Sequence, residues 1–151
     1  PRSQAQEFID HYFRSLASVK AFMEGTVQQA RSQGYVTTLL GRRRPMPELH
    51  SPDRQVAAYA ERAAANTPLQ GSAADIVKVA MVRAEKVLGE QFPQARLLLQ
   101  VHDELLLELP VEEVEAVRPL VVEIMCDAYE LDAPLRVEAE TGANWLELKG
   151  G

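Results

Sequence analysis

The stretch RLLLQVHDELLLELP, residues 96 to 110, sets three ionisable side chains, His102, Asp103 and Glu104, between two leucine-rich runs. Burying such groups without partners is expensive. They must therefore reach water at a turn or be held where a cation compensates them. Two adjacent carboxylates on a rigid turn suit a hard divalent cation such as Mg²⁺, which takes oxygen ligands and keeps waters for substrate phosphates. A solvated acidic turn fits the same pattern, since polar turn tips are common.

Two further groups have side chains suited to chemistry. Arg42, Arg43 and Arg44 form a cationic block that suits phosphate, although a charge run also serves as a solvated face. Arg62, Asn66 and Gln70 are four residues apart, which aligns them on one stripe if the helix is continuous. Such a stripe would meet sugars, bases or phosphates along a nucleic-acid strand. Pro68 interrupts that continuity, and Gln70 competes as a helix cap.

The elements that position these residues follow from periodicity. Apolar residues recur at helical spacing from Ser3 to Leu16 and again from Ser18 to Gln33, with Gly34 placed for a left-handed C-terminal cap. Tyr35 to Leu40 reads as a strand, and GRRRPMPELHSPD as a loop or irregular hairpin. An alanine-rich helix covers 54 to 66. A second begins at Pro68, capped by Thr67 with Gln70 completing a capping box, and ends near Gly89. The two leucine runs, a short polar tip and Pro110 predict a β-hairpin over 96–110 with His102 to Glu104 at its tip. Both arms are apolar at nearly every position, so both faces should be buried, as in central strands. Residues 111 to 130 read as a helix and Leu135 to Ala139 as a strand. The fold class is α+β, an antiparallel sheet around the central hairpin with helices packed against it.

The 151 residues suffice for one domain with a core, and 46% apolar with 25% charged residues is a globular balance that excludes disorder. No apolar run is long enough to span a bilayer and nothing resembles a signal peptide, so the expected compartment is the cytoplasm. Cys126 is the single cysteine, which excludes an internal disulfide and a cysteine-based zinc cluster; a small buried apolar side chain on a helix is its plainest role. The net charge of −6 is uneven. Residues 1 to 102 carry 13 Lys and Arg against 9 Asp and Glu, whereas residues 103 to 147 carry 2 against 13. A local basic patch can hold phosphate while an acidic face stays in solvent.

In their order, GYVTTLLGRRRPMPEL, AERAAANTPLQGSAADIVKVAM, LLLQVHDELLLELP and LRVEAETGANWLE resemble the C-terminal part of the family A DNA polymerases, the bacterial DNA polymerase I type. The resemblance runs from Ser3 and is most specific from Gly34 to Leu148. It implies a helical segment from the base of the fingers over 1–33 and a palm-type segment over 34–151. It implies that Asp103 is a metal-coordinating catalytic carboxylate, with Glu104 close to the active centre and also assigned to the metal. His102 would lie near the primer end, and Arg62, Asn66 and Gln70 would line the primer-template minor groove and active site, where acceptors are common to all base pairs. The implied cofactor is Mg²⁺ in a two-ion site, and the implied partners are primer-template DNA and deoxynucleoside triphosphates, with no membrane and no oligomer expected.

Nothing in these residues matches the family's first motif, which supplies the other metal-binding aspartate, or the fingers helix that meets the incoming nucleotide. Two-metal phosphoryl transfer needs carboxylates that bridge both ions. The expectation is therefore a piece of a longer chain that is inactive alone. Two other classes compete: an HD-type metal phosphohydrolase using His102 and Asp103 with His11 and His50, and a non-catalytic duplex-DNA-binding module using the arginines without metal.

Overall fold

The computed structural model describes residues 2–149. The chain divides into two compact units, Pro1–Ser72 and Ala73–Gly151, each with its own buried apolar cluster. The architecture is α+β, with helices as the larger part and, among the described residues, two separate two-stranded antiparallel sheets.

In the first unit, helix α1 spans Arg2–Ser15 and helix α2 spans Ala17–Gln33. Gly34 ends α2 at φ 83°, the left-handed cap that only glycine adopts without cost, and its N–H returns to Ala30 O at 2.9 Å. Strand β1, Tyr35–Thr37, pairs with strand β2, Arg43–Pro45. The first strand is thus shorter than the 35–40 expected, because Thr38 begins a turn: Gly41 N–H donates to Thr38 O and Thr38 N–H to Arg42 O, both at 3.0 Å. A 3-10 turn over Pro47–His50 follows. The unit's core joins Ala30, Val36, Met46, Leu49, Ala60 and Ala64, with Val27 and Ala63 against it.

Helix α3, Arg54–Gln91, corrects the expectation of two helices broken at Pro68. Asp53 starts it as an N-cap, its Oδ1 accepting from Gln55 N–H at 2.7 Å. Pro68 removes one donor, which costs about 3 kcal/mol in a helix interior, yet the helix passes through it. Buried Ala64 and Ala65 lie on one side of the interruption and buried Thr67 and Ser72 at or beyond it. Packing on both sides outweighs the local penalty. The Thr67 hydroxyl donates to Ala63 O at 2.7 Å, so it follows the helix and caps nothing. The helix also runs two residues past Gly89.

In the second unit, Ala84 and Leu88 of α3 pack against Val117 and Val121 of helix α4, Val114–Cys126, with Phe92, Leu107 and Leu109 at the margin. Leu88 is 1% exposed; removing such a side chain to alanine costs about 2–5 kcal/mol. A second cluster joins Ile76, Ala80 and Ala128 with Leu135 against it. Helix α4 is shorter than the 111–130 expected, opening with a 3-10 turn at Val111–Glu113. Asp127 follows it, and the carbonyl of Asp127 accepts from Arg83 Nη1 at 2.6 Å.

Strand β3, Arg96–Val101, pairs with strand β4, Glu104–Glu108. The hairpin is where expected, but it is not a central, doubly buried one. Leu98 and Leu99 are each 47% exposed, since no further strand flanks the pair among the described residues and helices cover it only through residues such as Leu107. The strand expected over 135–139 is likewise not formed. Leu135 and Val137 keep the alternating burial that the sequence shows, but among the described residues no strand offers them a ladder.

Candidate functional site

The acidic tip is built by a two-residue turn. Val101 is the register partner of Glu104, so His102 and Asp103 form the turn and Glu104 opens β4. Glu104 was expected on the tip itself; it lies one position inside the ladder. His102 stands at φ 56°, and among the described residues no other non-glycine is left-handed. A positive φ at the first turn position is what a two-residue hairpin requires for its twist, and glycine is the usual occupant. The sequence has histidine there, at a cost of about 1–2 kcal/mol. Gln100 Nε2 donates to His102 O at 2.9 Å and steadies the turn.

All three side chains, His102, Asp103 and Glu104, are exposed. The charges between the leucine runs therefore stay in water. Neither carboxylate has a hydrogen-bond or ion-pair partner among the described residues, so their oxygens are uncommitted. Those oxygens fit part of the ligand set of a hard cation. They cannot cage one: among the described residues no three His, Cys, Asp or Glu side chains gather into a metal-holding group. His50, invoked for a metal hydrolase, instead uses Nε2 on Arg31 O at 3.0 Å.

The arginine block lies at the start of β2 and is exposed. Its members differ. Arg42 Nη2 donates to Gly71 O at 3.1 Å and Arg44 Nη1 donates to Thr67 Oγ1 at 3.0 Å, both on α3. Arg43 points elsewhere, its guanidinium 4.7 Å from the centroid of the Tyr35 ring. Two of the three cations are thus fixed by the helix and the third by an aromatic face.

Arg62, Asn66 and Gln70 lie on one unbroken helix and all three are exposed, so the four-residue spacing does produce a polar stripe. Gln70 has no capping role to compete with it. Arg62 also borders a groove of about 410 Å³ lined by Met23, Val27, Arg31, Glu61 and Ala65, where Arg31 Nη2 and Glu61 Oε1 meet at 2.6 Å.

Three residues around the arginines escaped the sequence reading, Thr38, Gly71 and Ser72, and a fourth, Thr67, was read there only as a helix cap. A glycine inside a helix costs about 1 kcal/mol relative to alanine, so one kept there can have a packing reason. Gly71 was that signal.

The chain matches the model of DNA polymerase family A over residues 1–147. It is 51% identical to the DNA polymerase I of Bacillus subtilis over 148 residues, 98% of this chain and 17% of that protein. It is 50% identical to the thermostable DNA polymerase I of Thermus filiformis over 149 residues, 97% of this chain and again 17% of the relative. Among solved structures, the POL domain of Pol1 from M. smegmatis, in complex with a DNA primer-template and a dNTP, superposes with a TM-score of 0.85 at 46% identity, covering 90% of this chain and 24% of that one. The chain belongs to DNA polymerase family A. It spans about a sixth of the length of these curated relatives. Among the described residues no helix is long and apolar enough to cross a membrane.

Proposed function

We propose that these residues form the C-terminal part of a DNA polymerase that extends a primer 3′ end by template-directed, metal-dependent nucleotidyl transfer. The observation that carries this reading is the exposed hairpin tip with uncommitted Asp103 and Glu104 oxygens, in a chain that belongs to DNA polymerase family A throughout. The division of labour follows the resemblance: residues 1–33 as a helical segment from the base of the fingers, residues 34–151 as a palm-type segment. The partners are primer-template DNA and deoxynucleoside triphosphates, and the compartment is the cytoplasm.

Asp103 and Glu104 are the residues that would hold Mg²⁺ ions, with Asp103 as the principal ligand. Bound there, the metal would neutralise charge that develops on the nucleotide phosphates. The protein's contribution is rigidity, because the two-residue turn and Gln100 fix where the carboxylates stand before any ion arrives. His102, beside them, faces the primer end. Arg62, Asn66 and Gln70 contact the duplex through groups common to all base pairs, and Arg42, Arg43 and Arg44 supply the sequence-independent attraction of phosphate.

Primer extension by the full-length enzyme and its Asp103→Asn variant, with and without Mg²⁺, tests the proposal. Mg²⁺-dependent incorporation that the variant loses by orders of magnitude is expected. Equal rates for the two proteins would refute it.

A further inference from the structure

The exposed face of α3 between residues 55 and 70 holds more than the stripe of Arg62, Asn66 and Gln70. Its other exposed side chains are Gln55, Val56, Tyr59 and Leu69. At about 100° per residue, Tyr59 stands within about 20° of Asn66 and Gln70 around the helix axis, and about 60° from Arg62. It lies about 16 Å from Gln70 along that axis. Tyr59 thus continues the stripe by one further turn, in phase with it.

Charge and the phenol itself point to a partner for this face. In a chain of net charge −6, the face presents Arg62 and no carboxylate. Glu61, the single acidic residue between Arg54 and Gln70, is turned off the face and meets Arg31 Nη2 at 2.6 Å. One guanidinium, the side-chain amides of Gln55, Asn66 and Gln70, and a phenol give many hydrogen-bond donors without negative charge, which suits phosphate and sugar oxygens. Tyr59 is 66% exposed and is surrounded in sequence by Ala57, Ala58 and Ala60. Its hydroxyl has no hydrogen-bond partner among the described residues. A ring with an unused donor at its tip, standing above small neighbours, is open to a strand that lies along the helix.

We propose that Tyr59 is a further duplex-contacting residue: its hydroxyl donates to a backbone phosphate oxygen of the primer-template and its ring packs on the adjoining deoxyribose, one turn beyond Arg62. The inference rests on the duplex-binding reading of the stripe. A phosphate contact from a neutral donor fixes register without reading sequence. Because a phenol brings no charge it displaces no counterion, so the affinity it adds is insensitive to salt.

The test is primer-template binding by the full-length enzyme across a salt series, with melting temperature measured in parallel. Tyr59→Phe, which removes only the donor, should raise Kd about threefold, and Tyr59→Ala, which also removes the ring, about tenfold. Neither should change the slope of log affinity on log salt. Tyr59→Lys places a cation at the same phosphate and should steepen that slope by roughly one unit. Asn66→Ala and Gln70→Ala, measured alongside, should each weaken binding as well. If they do while Tyr59→Phe and Tyr59→Ala leave affinity unchanged, or if Tyr59→Lys leaves the slope unchanged, the Tyr59 contact is refuted and the stripe stands. If Tyr59→Ala lowers melting temperature but not affinity per folded molecule, the ring packs against another part of the longer chain and the contact is likewise refuted. If Asn66→Ala and Gln70→Ala leave binding unchanged, the duplex reading of the stripe falls and the Tyr59 contact with it.

Discussion

The side-chain amide of Gln100 donates to the backbone carbonyl of His102 at 2.9 Å, and so pins the peptide that leads into Asp103. Because His102 stands at φ 56°, its backbone and its imidazole can be separated by substitution. His102→Gly should relieve about 1 kcal/mol of turn strain, whereas His102→Ala keeps the strain and loses the ring. If the imidazole acts near the primer end, both variants should extend more slowly even though the glycine variant melts no lower than the wild type. Full activity in both, measured as single-turnover extension, would leave His102 as a turn residue only.

The isolated 151 residues should neither extend a primer nor hold Mg²⁺ tightly. A cation offered only the Asp103 and Glu104 carboxylates keeps most of its hydration shell, and no third ligand gathers there among the described residues. Calorimetric titration and primer extension with the purified piece check both statements. Robust Asp103-dependent incorporation by the piece alone would mean that it carries a second catalytic carboxylate.

Arg62→Ala and Gln70→Ala should slow extension by the full-length enzyme more than they destabilise it. Both side chains are exposed on an unbroken helix, so each truncation should change stability by no more than about 0.5 kcal/mol. Thermal melting beside extension per folded molecule separates the effects. A steep loss of melting temperature with normal extension would return these residues to a structural role.

Arg43 should behave unlike its neighbours. Stacked on Tyr35, it contributes the usual exposed cation–π increment of about 0.5–1 kcal/mol to the hairpin. Arg43→Gln is therefore expected to lower the salt slope less than Arg42→Gln or Arg44→Gln, and Tyr35→Leu to reduce melting temperature slightly with no change in slope. Identical slopes for all three arginine variants would contradict the distinction.

The local geometry of the candidate residues was legible in the sequence because it depends on local rules. Leucine runs interrupted by HDE require a solvent-reaching turn, and residues spaced by four share a helix face. Pro68 misled because a local penalty was read without the core on either side of it: Ala64 and Ala65 before, Thr67 and Ser72 around, are buried and hold the helix together. The missing strand at 135–139 has the opposite cause. Its alternation is real and appears as burial of Leu135 and Val137 relative to Arg136 and Glu138, but periodicity says which side chains face inward and not whether a ladder partner exists. The support of Arg42 and Arg44 was illegible for a third reason: Thr38 and Gly71 meet across 33 residues of chain, and only Gly71 left a trace.

The irregular register of β3, where pairing shifts between Leu97 and Leu99, bears on how this protein behaves in a crowded solution. The run LLLQV has the composition of a segment that stacks edge to edge into cross-β aggregates, being leucine-rich, uncharged and free of proline. Leu98, left without a register partner, breaks the flatness that such stacking needs, since a bulge bends the strand and twists its edge away from a flat template. The leucine-rich arms that hold the acidic tip rigid therefore carry their own safeguard against amyloid-like growth, and it consists of a single supernumerary residue.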